Sequence, residues 1–74
     1  MVLVDVKCGQ NVRIVSYTGG RGVVSKLRQL SLMPGDRVKV IKKAPLRGPV
    51  LIESQGRSVA LGRGIAARVQ VEEI

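Results

Sequence analysis

Residues 30–40 read LSLMPGDRVKV, and the hydrophobic rhythm changes in the middle of them. Before Pro34 the apolar positions continue the spacing of VVSKLRQL (residues 23–30), where Val23, Leu27 and Leu30 recur at intervals of four and three and share one helical face. After Gly35 the residues Arg37, Val38, Lys39 and Val40 alternate with the period of a half-buried strand. Pro34 disfavours helix at Met33, and Pro34-Gly35 suits the two central positions of a type II turn. The stretch therefore predicts a short helix, ended by Pro34, that folds back onto a sheet, with Asp36 opening the next strand.

Outward from this point the chain is a run of short strands. Asn11 to Tyr17 puts Val12 and Ile14 on one side and Arg13 on the other, and ends at Gly19-Gly20. In the strand after Asp36, Ile41 breaks the alternation, which predicts a bulge or corner, and Lys42-Lys43 lead into the loop APLRGP. Val50 to Glu53 opens with three apolar residues in a row and reads as buried on both sides. Gln55-Gly56 is a two-residue hairpin turn, and Ser58 to Leu61 is the return strand with Val59 and Leu61 inward. Gly62 to Ala67 has room for one helical turn, and Arg68 to Glu72 alternates again with Val69 and Val71 inward.

Five short strands and one small helix in 74 residues make a single domain spanning residues 1–74. A mainly β, SH3-like antiparallel barrel is the expected architecture, because closure removes sheet edges. The five-stranded OB barrel is its main competitor.

The composition excludes most chemistry. The chain has no histidine, and its five acids (Asp5, Asp36, Glu53, Glu72 and Glu73) are scattered except for the last two, which point to opposite faces of a strand. No catalytic set follows from this, and the chain reads as a non-enzyme. One cysteine without histidine cannot supply the soft ligands of a zinc or iron site, so no metal ligands are assigned, and Glu72 and Glu73 with a main-chain carbonyl could hold a metal only weakly. Cys8 is expected to be a small residue partly packed beside the first turn. GGRGVVSK (residues 19–26) lacks the spacing of a phosphate loop and reads as a glycine entry to the helix.

Thirteen Lys and Arg against five Asp and Glu give a formal charge of +8, which favours anionic partners. Nucleic acid is the rival partner class, but single-strand recognition leans on aromatic stacking and Tyr17 is the only aromatic residue. The N-terminus lacks the form of a signal peptide, no apolar run reaches membrane-spanning length, and one cysteine suits a reducing interior. A cytoplasmic protein without membrane insertion is expected.

Several motifs together resemble the FeoA family: Gly9 to Val12, Gly19-Gly20, and KLRQLSLMPGDRVKVIKKAPLRGPVLIESQGRSVALGRGIAARVQVE (residues 26–72). The likeness runs from about Leu3 to Glu73. A similar domain ends the DtxR-type iron-dependent repressors. The resemblance implies an SH3-like barrel and an accessory role in ferrous iron uptake. In that role the protein docks on the cytoplasmic part of the FeoB-type transporter and lies peripheral to the inner membrane through this partner. Weak divalent iron binding is open by family association only, and self-association is open as well. The kinship with the repressors keeps a nucleic-acid-binding or repressor-type regulatory domain as the alternative reading.

As scaffold, the resemblance marks Gly19 and Gly20, the leucines Leu27, Leu30 and Leu32 that pin the helix, the reversal Pro34-Gly35, and turn positions at Gly48, Pro49, Gly56 and Gly62. Ser31 stands where the family commonly has glycine. The expected docking residues are Leu46 and Arg47, at the tip of the proline-bounded loop, followed by Arg21, Lys26 and Arg28 along the helix and its entry.

Overall fold

The computed structural model describes residues 1–74. Five strands, β1 (Asn11–Tyr17), β2 (Arg37–Lys43), β3 (Val50–Ser54), β4 (Arg57–Leu61) and β5 (Val69–Glu73), form one antiparallel sheet in the order β4-β3-β2-β1-β5. The return of β5 to the side of β1 is the SH3-like arrangement. Helix α1 (Arg21–Gln29) lies between β1 and β2, and the single turn α2 (Arg63–Ala66) between β4 and β5.

Strand alternation carries the core. Val12 and Ile14 of β1, Val38 and Val40 of β2, Val50 and Ile52 of β3, Leu61 of β4, and Val69 and Val71 of β5 are all buried. Leu27 of α1 and Ala66 of α2 close over them, with Leu32 beyond the helix. Leu3, which opens a 3-10 turn at Leu3–Asp5, and Val6, which follows it, complete the core.

The predicted bulge in β2 is present: pairing with β3 shifts register between Val40 and Lys42, leaving Ile41 unpaired and exposed. A second bulge, between Ile14 and Ser16 of β1, has no such signal in the sequence. Lys42 and Lys43 belong to β2 rather than to the loop, because both pair with β3. Val50–Ser54 alternates instead of being buried on both sides, since Leu51 turns to the half-exposed face. Val59 is likewise only half-buried.

The reversal at residues 30–40 has two parts. Met33 to Asp36 is the expected type II turn: Gly35 takes φ 96°, and the Asp36 N–H donates to the Met33 carbonyl at 3.0 Å. Asp36 is not yet strand. Its side chain accepts the Met33 N–H at 2.9 Å while its carbonyl accepts the Ile14 N–H at 2.9 Å, which fastens the turn to β1.

The helix itself ends at Gln29, five residues before Pro34. Ser31 adopts φ 58°, its N–H donates to the Arg28 carbonyl at 2.9 Å, and the Leu32 N–H donates to the Leu27 carbonyl at 2.9 Å. These two bonds are a Schellman motif, with the buried pair Leu27 and Leu32 as its apolar contact. Helix termination is therefore the work of Ser31, and Pro34 acts only afterwards. The helix also starts at Arg21, two residues earlier than its apolar spacing suggests, with Gly20 as an N-cap that offers no side-chain bond.

Candidate functional site: the Leu46–Arg47 turn and the basic side of α1

The β2–β3 hairpin continues past its strands. The Ala44 N–H donates to the Pro49 carbonyl at 3.0 Å, and the Gly48 N–H to the Pro45 carbonyl at 3.1 Å. The chain therefore reverses at Leu46 and Arg47, with φ 58° and 59°. Two consecutive positive values with a bond from the fourth residue to the first are the pattern of a type I′ turn, which ordinarily selects Asn-Gly. The β3–β4 hairpin makes the same kind of turn with Gln55-Gly56, as its sequence predicts, and has glycine at the second position. The Leu46–Arg47 turn has no glycine at either.

Leu46 is 99% exposed, far more than any other large apolar residue of the chain. The turn beneath it is held from outside the hairpin. Arg63 of α2 donates from Nε to the Gly48 carbonyl at 3.2 Å and from Nη2 to the Ala44 carbonyl at 3.5 Å. Gly48 is required for close approach, because a Cβ there would lie 2.7 Å from the Ala44 Cβ and 3.1 Å from the Pro45 carbonyl oxygen.

The other residues expected to dock lie on α1. Arg21 and Arg28 share an open groove of about 790 Å³ with Gly19, Gly20, Val24, Ser25 and Gln29, and Lys26 lies outside it. The side chains of Arg21, Lys26, Arg28 and Arg47 make no ion pair or hydrogen bond within the chain. The structure thus brings Arg21 and Arg28 together and gives Leu46 and Arg47 a separate tip.

Two cations are structural. Besides Arg63, Arg57 of β4 donates to the Leu30 carbonyl at 3.1 Å, satisfying one of the open carbonyls at the end of α1 and placing a positive charge where the helix dipole favours it. Neither role has a local signal, since each contact joins residues far apart in sequence. The only ion pair is Arg13 with Glu72, at 3.5 Å between partly exposed side chains.

Several sequence expectations change. Leu30 is half-buried at the helix cap, so Leu27 and Leu32 pin the helix and Leu30 only packs beside them. Gly20 and Gly62 are helix N-caps with ordinary negative φ. Gly19, by contrast, needs its φ of 102°. Cys8 is an exposed thiol, not a packed one.

The Tyr17 hydroxyl donates to the Leu32 carbonyl, so the one aromatic ring is tied into the scaffold. Burial, reinforced by Asp36, raises its pKa above 10.0, with Arg28 opposing. No three of the Cys, Asp and Glu side chains gather closely enough to hold a metal ion. Glu72 pairs with Arg13, and Glu73 accepts the Gln10 amide at 2.8 Å. No helix is long and apolar enough to cross a membrane.

Comparison with known proteins adds the family. A putative Fe(2+) transport protein A of Methanocaldococcus jannaschii is 32% identical over 71 residues, covering 96% of this chain and 84% of that protein. A crystal structure of an iron uptake regulatory protein, FeoA, superposes with TM-score 0.87 at 30% identity, over 97% of this chain and 93% of the other. A manganese-dependent transcriptional repressor superposes with TM-score 0.93 at 13% identity, covering all of this chain and 41% of the repressor, a likeness of fold alone. The FeoA domain model matches residues 1–73, and the chain belongs to the FeoA family.

Proposed function

We propose that this chain is a non-catalytic accessory protein of ferrous iron uptake that docks on the cytoplasmic domain of a FeoB-type transporter. Leu46 and Arg47 are its anchor, and the basic side of α1 is a second, separate contact surface. The observation that carries this reading is a leucine 99% exposed on a turn whose two central residues both hold left-handed backbone. Each such residue costs about 1–2 kcal/mol relative to glycine. A fold that keeps this strain to present an apolar side chain to water has the character of a binding loop.

The family membership and the archaeal relative's name supply the transport context. Iron enters this reading as the transporter's cargo. The chain has no histidine, and Glu72 and Glu73 face Arg13 at 3.5 Å and Gln10 at 2.8 Å.

The test is capture of the chain by an immobilised transporter cytoplasmic domain at low and moderate salt. Leu46→Asp and Arg47→Glu are expected to weaken capture about tenfold or more, a loss of at least about 1.4 kcal/mol, with the melting temperature nearly unchanged. Absence of capture by the folded parent chain at both salt concentrations overturns the reading.

A further inference from the structure

The sheet ends in two unlike edges. Along β5 the N-terminal segment lies as cover: Val2 bridges to Gln70, and the Val71 N–H donates to the Met1 carbonyl at 2.8 Å. Along β4 no further strand or bridge pairs. This strand pairs only with β3, in the register Ser54–Arg57, Glu53–Ser58, Ile52–Val59, Leu51–Ala60 and Val50–Leu61.

The two-residue turn makes Ser54–Arg57 the first hydrogen-bonded pair, and an antiparallel ladder alternates from there. Val59 and Leu61 therefore direct their N–H and C=O groups to β3, while Ser58 and Ala60 turn theirs outward. No loop, cap or side chain bonds to the main chain of Ser58 or Ala60. Both residues are exposed, and their side chains are small. The devices that normally blunt an edge are missing from Ser58–Ala60, which has no lysine, no proline and no register shift.

The geometry points to the β4 edge as a strand-addition site for a short, extended, acidic segment of a protein partner. The outward N–H and C=O of Ser58 and Ala60 are enough to hold a partner stretch of about three residues. Charge selects the occupant. The chain carries +8, and Arg57 opens the strand. Through its bond to the Leu30 carbonyl, Arg57 also joins this edge to the end of α1, where Lys26 and Arg28 occupy the last turn.

The one acid of the hairpin is Glu53, opposite Ser58 on β3. A second copy of the chain would bring its own +8 to the same edge, whereas an acidic segment is attracted to it. This surface is distinct from the Leu46–Arg47 tip, and the proposal stands whether or not the transporter reading does.

The experiment uses the isotope-labelled chain and a capped hexapeptide of alternating glutamate and valine, followed by amide NMR and hydrogen exchange at low salt. The expected result is saturable binding that slows exchange at Ser58 and Ala60 about tenfold or more while Val59 and Leu61 stay as they are. Ala60→Pro removes one outward N–H without breaking a bond to β3, and is expected to weaken binding about tenfold. Should that variant lose the parent's dispersed spectrum, a peptide N-methylated at alternate amides tests the same bonds from the other side and is expected not to bind.

Four results overturn the proposal. They are no binding, binding without added protection at Ser58 and Ala60, equal binding of the N-methylated peptide, or protection of those amides that rises with the concentration of the chain alone.

Discussion

Arg63 and Gly48 are joined by a hydrogen bond of 3.2 Å from Nε to the carbonyl, so the single-turn helix α2 holds the loop that presents Leu46. The same guanidinium reaches the Ala44 carbonyl at 3.5 Å, and both sides of the turn are thereby fixed to one planar group. Lysine has the charge but lacks the fork. Arg63→Lys is expected to cost about 1 kcal/mol of stability, in line with loss of one or two partly buried hydrogen bonds. Amide exchange at residues 44–49 should quicken while β1 and β5 keep their protection. Equal protection in the variant and the parent would show that the loop holds itself.

What could be read from the sequence was what depends on neighbours along the chain. The alternation in β1, β2 and β5, the bulge at Ile41, the Pro34-Gly35 turn and the Gln55-Gly56 hairpin are all local, and each is present. The Arg63 and Arg57 contacts are not local: their acceptors lie 15 and 27 residues away. Leu3 and Val6 belong to the core only because β5 and α2 pass above them. Among the site residues, the Leu46 tip was legible from its bounding prolines. The free state of Arg21 and Arg28 could be told from the structural role of Arg57 only after folding.

Leu27 and Leu30 separate these two levels in one helix. Helical spacing puts both on the same face, yet Leu27 is fully buried and Leu30 half-exposed at the cap. Leu27→Ala is expected to cost about 2–5 kcal/mol, a large part of the stability of so small a domain, and Leu30→Ala about 1 kcal/mol. Urea unfolding of the two variants checks the order, and equal midpoints would contradict it.

Tyr17 gives the fold a pH dependence of known sign. Burial raises its folded-state pKa above the unfolded value of 10.0, so the folded chain holds this proton more tightly than the unfolded chain does. Its contribution is fully present below pH 10.0 and is lost as pH rises through the folded-state pKa. Ultraviolet titration should show the phenol ionising above 10.0 in the folded chain. Tyr17→Phe leaves the Leu32 carbonyl without this donor and is expected to cost about 1 kcal/mol near neutral pH. The stability difference between parent and variant should shrink as the alkaline range is entered. A difference that stays constant would assign the effect to packing alone.

Ser31 carries left-handed backbone at the helix end, the position where glycine is ordinarily found. Ser31→Gly keeps both Schellman bonds, since these use main-chain groups, and relieves a strain of about 1 kcal/mol, part of which returns as greater freedom of the unfolded chain. A rise in melting temperature of a few degrees is expected, because about 1 kcal/mol corresponds to roughly 4–8 °C in a domain of this size. A fall would mean that the Ser31 side chain contributes something its main-chain geometry does not require.

The Leu46–Arg47 turn allows stability and docking to be set against each other. Type I′ turns favour Asn-Gly, and this one holds Leu-Arg at φ 58° and 59°. The double variant Leu46→Asn, Arg47→Gly keeps the length, the Gly48 to Pro45 bond and the Arg63 contacts, all of which use main-chain carbonyls or N–H groups of other residues. It should therefore be more stable than the parent by about 1–2 kcal/mol, read as a higher urea midpoint at unchanged slope. If the strained turn serves to display the leucine and the arginine, the same variant should lose capture by the transporter domain about as completely as Leu46→Asp does. A stabilised chain that is captured as well as the parent would separate the strain from binding and remove Leu46 and Arg47 from the docking surface, leaving Arg21 and Arg28 on α1 as the residues to vary next.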